Sequence, residues 1–158
     1  MPRIKRAEDY YIKVLLQKVK VQEIMTTPVF SVRVDSPFSK VEQMFREHRI
    51  RHLPVVDDKN NLSGLITQRD LYRIISPRKL EDGTWYYDKE MLDEVILGQV
   101  MNSSPSVCHP EDSVGQAAVT MVLGKYGCLP VVGKDGKLCG IITQMDILKV
   151  ASEILLDT

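Results

Sequence analysis

Two short signatures, Thr67-Gln68-Arg69-Asp70 and Thr143-Gln144-Met145-Asp146, each place a hydroxyl three residues ahead of a carboxylate, where an apolar run turns polar. Two kinds of chemistry use that spacing. In a capping box the threonine oxygen accepts from the N–H at the third helical position, and the acidic side chain reaches back to the cap residue. In a binding site the carboxylate sits on the first helical turn, where its two oxygens can take both hydrogens of a ribose diol. The nearby helix N-terminus would also favour a phosphate. Spacing alone leaves both open. Arg51, His52 and Arg69 are candidate phosphate partners near the first signature. Seventy-six residues on, the same positions are Gly127, Cys128 and Met145, none of them charged. A pyrophosphate or triphosphate should therefore prefer the site served by Arg51 and His52. The other site is expected to be empty or to suit a less charged ligand. Which Asp shares a cleft with the basic pair stays open at this level.

Other chemistry is poorly supported. His48 and His52 are four apart, as in a helical metal pair, but a helix is expected to end between them and no third ligand stands near, so no metal site is assigned. Cys108-His109 lacks a group to orient a nucleophile and base, and Cys108 reads as a small core residue. Glycine-rich phosphate loops are absent. The chain is read as non-catalytic, with no obligatory cofactor.

The elements that must position the two signatures are themselves duplicated. Residues 53–70 and 129–146, 76 positions apart, share ten of eighteen residues, among them Leu-Pro-Val-Val, the Thr and the Asp. Each copy opens on a Met-containing segment, Val21 to Pro28 and Leu97 to Pro105. A helix follows, with Asp35-Ser36-Pro37 and Asp112-Ser113 offering capping oxygens. Phe38, Val41 and Phe45, then Val114, Ala117 and Met121, form its apolar face. Gly124 and Gly127 are expected to stop the second of these helices. Two short apolar runs joined by turn-rich Asp57–Asn61 or Lys134–Lys137 read as hairpins, and a last helix begins near Thr67 or Thr143. The fold class is α+β: two β-α-β-β-α repeats that bury each other's apolar faces.

The expected organisation is a basic helix and extension at 1–20, repeat 1 at 21–75, an insert at 76–96, repeat 2 at 97–151 and a tail at 152–158. The insert holds Trp85-Tyr86-Tyr87, which either stack on a base, line a dimer contact, or pack back onto the chain. With 44% apolar and 27% charged residues, the chain has an ordinary globular composition. Its 21 basic and 21 acidic residues leave no global field favouring nucleic acid or an anionic membrane. Arg3, Lys5, Arg6, Lys13, Lys18 and Lys20 give the first twenty residues a local basic bias. Three cysteines without C-x-x-C spacing read as reduced thiols. With no apolar run of membrane-spanning length and no signal-like start, a cytoplasmic location is expected.

Three features together, the opening Met-x-x-Pro at Met25–Pro28 (one residue longer at Met101–Pro105), the run His48–Asp57, and Gly-hydrophobic-hydrophobic-Thr-x-x-Asp at each close, resemble a tandem pair of CBS domains, a Bateman module. The resemblance covers about 110 of the 158 residues. Arg51-His52-Leu53-Pro54 and Gly127-Cys128-Leu129-Pro130 look similar to the CBS portion of acetoin-utilisation-type regulators. The resemblance implies two repeats packed with pseudo-twofold symmetry and clefts for an adenosine compound such as AMP, ADP or ATP. It places the ribose at Thr67, Asp70, Thr143 and Asp146. The adenine is expected against the opening strands and their neighbours, at Thr27, Val29, Phe30 and Pro54, and at Ser104, Ser106, Val107 and Pro130. It further implies a stand-alone regulatory, energy-sensing module that dimerises through its helices and signals to an effector protein. The alternatives are an S-adenosylmethionine or NAD(H) sensor, or a structural dimerisation scaffold whose Thr and Asp are only caps.

Overall fold

The computed structural model describes residues 6–156; residues 1–5, with Arg3 and Lys5 of the basic extension, and 157–158 of the tail lie outside them. In chain order the elements are α1 (Arg6–Lys18), α2 (Val21–Ile24), β1 (Val32–Arg33), α3 (Phe38–His48), β2 (His52–Val56), β3 (Leu62–Thr67), α4 (Gln68–Ile74), β4 (Arg78–Lys79), β5 (Trp85–Tyr86), α5 (Lys89–Asp93), α6 (Leu97–Val100), α7 (Val114–Gly124), β6 (Cys128–Val132), β7 (Leu138–Thr143) and α8 (Gln144–Leu156). The expected tail is thus largely the last turns of α8.

These elements form two compact units, each with its own core. Unit 2 is residues 30–105 and unit 1 is residues 1–29 with 106–158. In unit 2, β1 runs parallel to β2 and β2 antiparallel to β3, over a core containing Phe38, Val41, Phe45, Leu53, Val55 and Ile66. In unit 1, β6 and β7 form the hairpin, and the opening strand is reduced to one parallel bridge between Cys108 and Val131. Val21, Ala117, Met121, Leu129, Val131 and Ile142 make that core. Both hairpins shift register at the same place, between Val55 and Val56 and between Val131 and Val132.

The opening segment of each repeat packs on the sheet of the other. Thr26 and Ile141 exchange both backbone hydrogen bonds, at 2.9 and 3.2 Å, in unit 1; Leu65 and Asn102 do so at 2.9 Å each in unit 2. Glycine permits the approach. A Cβ on Gly64 would lie 2.6 Å from Met101 Sδ and 2.8 Å from the Asn102 carbonyl, and one on Gly140 would meet Met25 Sδ and the Thr26 carbonyl in the same way.

Helices α1 and α5 follow the same exchange. In unit 1, α1 lies against α7, with Leu16 so near Gly115 that a Cβ there would sit 3.1 Å from the Leu16 carbonyl. In unit 2, α5 lies against α3, where Asp93 accepts from the Ser39 N–H at 3.1 Å. Ser39 and Gly115 are 76 apart, and so are Leu16 and Leu92. Helices read as lying outside the repeat therefore hold equivalent places.

Several local expectations are corrected. Asp35 does not cap α3; it pairs with Arg33 at 3.0 Å, and Asp93 supplies the acceptor from 54 residues away. Ser113 does cap α7, accepting from the Gln116 N–H at 3.1 Å. Neither Gly124 nor Gly127 makes the left-handed stop of α7. Lys125 takes it at φ 54°, as Arg49 does at φ 52° after α3. Pro130 sits in β6 because its carbonyl faces Cys108, accepting that N–H at 3.1 Å, so its missing donor leaves the ladder to β7 intact.

Candidate functional site

In both units the strand before the last helix ends on threonine, whose extended backbone turns the chain into α4 or α8. Thr67 N–H and Oγ1 donate to Asp70 Oδ2 at 2.9 and 2.6 Å, and Thr67 Oγ1 accepts from the Asp70 N–H at 3.3 Å. Thr143 and Asp146 repeat this at 2.8, 2.8 and 3.4 Å. The capping box forms twice, and aspartate closes it despite its shorter side chain. It consumes only Oδ2. Asp70 Oδ1 makes no hydrogen bond among the described residues, and Asp146 Oδ1 has Lys149 Nζ at 3.9 Å. Capping and diol binding are therefore compatible on one carboxylate.

The Asp70 end carries the cations. His52 pairs across the ladder with Thr67, and the Arg51 carbonyl accepts from the Gln68 N–H at 2.9 Å, so Arg51 and His52 border the start of α4. Exposed Arg51 and Arg69 enter none of the ion pairs among the described residues. Burial, reinforced by Arg51 and Arg69, holds the His52 imidazole below its ordinary pKa. The lowered pKa favours the neutral imidazole, which can still donate a hydrogen bond. At the Asp146 end the Gly127 carbonyl accepts from the Gln144 N–H at 3.1 Å, and Cys128 pairs with Thr143. The backbone is the same and the charges are missing.

The remaining residues named from sequence divide between the units. Thr27, Val29, Ser106, Val107 and Pro130 fall in unit 1 with Thr143 and Asp146; Phe30, Pro54 and Ser104 fall in unit 2 with Thr67 and Asp70. Thr27 follows the residue bonded to Ile141, two positions before Thr143, and Ser104 lies two residues past the one bonded to Leu65, two before Thr67. Ser104 donates its N–H to Asn102 Oδ1 at 3.1 Å. Pro54 and Pro130 are buried in mid-strand, whereas Phe30 stacks on His48 with ring centroids 3.9 Å apart. His48 at the end of α3 and His52 within β2 thus have different surroundings.

Cys108 and Cys128 are buried thiols pushed up to about 12, chiefly by desolvation, and Cys139 is raised for the same reason. Such thiols are poor nucleophiles. Among the aromatics of the insert, Tyr87 packs against the unit 2 core, while Trp85 stays exposed with Lys79 Nζ 5.5 Å from its ring centroid. A cavity of about 930 Å³ opens in unit 1, bordered by Gln22, His109, Glu111 and the turn Gly133–Gly136. It lies at the hairpin end of β7, away from Thr143, and the His109 Nδ1 near it is engaged with the Val132 carbonyl at 2.8 Å. No helix among the described residues is long and apolar enough to cross a membrane.

Comparison with known proteins matches the CBS domain model at residues 21–77 and 97–153. A CBS domain-containing protein of Dictyostelium discoideum is 32% identical, covering 87% of this chain and 94% of its own. Among solved structures, a Vibrio cholerae protein assigned to acetoin utilization (AcuB) superposes with a TM-score of 0.70 at 29% identity, covering 87% of this chain and 93% of the other. CBSX2 of Arabidopsis thaliana, solved in complex with AMP, gives a TM-score of 0.70 at 26% identity, covering 86% and 98%. This chain spans 63% of the full chloroplastic CBSX2 sequence. Two matched repeats, the mixed helix-and-strand fold and the duplicated Thr-x-x-Asp turns agree, and the chain belongs to the CBS domain family as a tandem pair.

Proposed function

We propose that the chain is a non-catalytic regulatory module that binds an adenine nucleotide, AMP, ADP or ATP, and signals its occupancy to an effector protein as a homodimer. The observation that carries this is the meeting of a carboxylate with one uncommitted oxygen and the uncommitted Arg51 and Arg69 at one end of unit 2. Asp70 Oδ1 accepts from the ribose hydroxyls. Arg51 and Arg69 hold phosphate oxygens, with His52 donating. The Asp146 end, with Gly127, Cys128 and Met145 at those positions, suits an adenosine compound without phosphate. The AMP complex of the similar protein CBSX2 supports the ligand class. A ligand shifts the module only through its differential affinity for two arrangements, which is how occupancy becomes a signal.

A thermal-shift series with AMP, ATP, S-adenosylmethionine and NADH tests the reading. A ligand at about 100 times its Kd should add about 2.7 kcal/mol of stability. Absence of a shift with all four at saturating concentration would leave the second reading, a dimerisation scaffold. The twice-formed capping box favours that reading, because it gives Thr and Asp a structural task without any ligand.

A further inference from the structure

We propose that the open groove of unit 1, between the loop ahead of α7 and the β6–β7 turn, binds a small molecule with a guanidinium head and a carboxylate, such as free arginine. The site lies at the hairpin end of β7, away from Thr143, and is independent of the nucleotide reading above. Its volume of about 930 Å³ falls within the roughly 300–1,000 Å³ of small-molecule sites. Gln22, His109, Glu111, Lys134 and Asp135 are the polar residues of its wall. The side chains of Glu111 and Lys134 make no ion pair or hydrogen bond among the described residues.

Unit 2 shows what these groups do when they are paired. At the positions 76 residues earlier, Arg33 stands for His109, Val34 for Pro110, Asp35 for Glu111 and Asp57 for Gly133. There the Arg33 guanidinium makes a two-pronged contact with Asp35, Nε to Oδ1 and Nη2 to Oδ2, at 3.0 Å each. Asp35 first, then Asp58 and Asp57 of the hairpin turn, raise the Arg33 pKa, which places the guanidinium between loop and turn. In unit 1 the proline undoes this. Val34 donates its N–H to the Val56 carbonyl at 3.0 Å, but Pro110 has no N–H for the matching Val132 carbonyl, and the His109 ring meets it instead, through Nδ1 at 2.8 Å. A carbonyl only accepts, so Nδ1 carries the hydrogen, and Nε2 of the neutral ring is left as an acceptor. The imidazole is held on β6, and Glu111 is without the cation that Asp35 has.

These groups define the ligand. A guanidinium offers Glu111 the same parallel pair of N–H donors that Arg33 gives Asp35, with a further N–H for His109 Nε2. Asp135 adds a second negative charge to the wall, although its Oδ1 is spent on the Lys137 N–H at 3.1 Å. At the turn the sign is reversed, because Lys134 replaces Asp58. A cation there suits a carboxylate at the other end of the ligand. A phosphate compound is the wrong chemistry, since one lysine would have to hold it against both Glu111 and Asp135.

A proton–nitrogen chemical-shift titration of the full chain with L-arginine tests this. Saturable shifts should appear at the amides of His109, Glu111 and the turn Gly133–Gly136, with a Kd of about 1 mM or lower. Citrulline keeps the shape and loses the charge, and it should bind at least about tenfold more weakly, as should arginine to Glu111→Gln. Agmatine lacks the carboxylate and should bind the wild type and Lys134→Ala alike, whereas arginine should bind Lys134→Ala more weakly. His109→Arg restores the pair seen in unit 2 and should abolish arginine binding. Absence of a saturable shift up to about fifty times that Kd overturns the proposal. So do equal binding of citrulline, undiminished binding to Glu111→Gln or His109→Arg, and shifts confined to the starts of α4 and α8. Equal loss of arginine and agmatine in Lys134→Ala overturns the carboxylate end of the ligand.

Discussion

At the start of α4 in unit 2, the strand and the helix contribute Arg51, His52 and Arg69 around Asp70; at the start of α8 in unit 1, the same backbone carries Gly127, Cys128 and Met145 around Asp146. What both units share is what the backbone demands. The threonine cap, the aspartate that closes it, the glycine opposite a crossing segment and the left-handed residue after the first long helix recur at matching positions. What differs is charge beside the Thr-x-x-Asp turn. The duplicated Thr, Asp and Gly are thus positions where a second residue type would cost folding energy. Divergent positions are where folding is indifferent and a ligand or a partner can decide.

The charge difference should give the largest effect. Replacing Arg51 and Arg69 together by alanine removes two charge-assisted contacts, each worth about 1.5–3 kcal/mol when fully made. Because both side chains are exposed, a loss of roughly thirty- to a hundredfold in ATP affinity is expected by calorimetry. Binding of an adenosine compound without phosphate should be unchanged. Equal losses for both ligands would mean that the two ends do not differ as described.

Next comes the shared backbone. Gly64→Ala pushes a Cβ against a carbonyl at 2.8 Å, where backbone must give way, whereas at Gly140 the nearest carbonyl is at 3.2 Å and the closer atom is the end of the flexible Met25 side chain. Overpacking of this kind costs about 1–3 kcal/mol. Gly64→Ala should lie near the top of that range and Gly140→Ala near the bottom, measured as a shift in urea midpoint at constant m-value.

A smaller contrast is one of pH. The folded-state pKa of His52 is lowered from the ordinary 6.5, chiefly by burial. Above 6.5 His52 is neutral in both states and stability is at its full value. As pH falls below it, the unfolded chain binds a proton that the folded chain resists, so stability declines. Urea unfolding at about pH 7.5 and about pH 5.5 should show this slope, and His52→Gln should flatten it. Cys128, at the matching position, has its thiol pushed up to about 12 and adds no slope in that window.

Much of this was legible in the residues. Identity at a fixed spacing marks the duplication, and the hairpins, the threonine-capped helices and the uneven cation supply follow from local pattern. The exchange of opening segments was not legible, because the contacts that make it are backbone to backbone and any residue can supply them. Its trace in sequence is the pair Gly64 and Gly140, which also fits an ordinary strand glycine. Tyr10, Tyr11, Lys13, Leu16 and Val19 recur as Tyr86, Tyr87, Lys89, Leu92 and Val95 at the same spacing as the rest of the repeat, a signal that could have tied α1 to α5. Identities scattered among dissimilar neighbours, far from the contiguous eighteen residues, are easily passed over. The cap on Ser39 was beyond reach for another reason, since its acceptor Asp93 is 54 residues away and local reading favours the nearer Asp35.

The finest comparison concerns Arg49 and Lys125, the two residues that end α3 and α7 in the left-handed region. A residue with a Cβ pays about 1–2 kcal/mol there, and glycine recovers most of it while losing some to its freer unfolded chain. Arg49→Gly and Lys125→Gly should each stabilise the monomer by roughly 0.5–1 kcal/mol, and by similar amounts, because the two sites have nearly the same φ. Urea midpoints at constant m-value measure both gains. A gain at one site and a loss at the other would mean that one of the two side chains does more than end its helix.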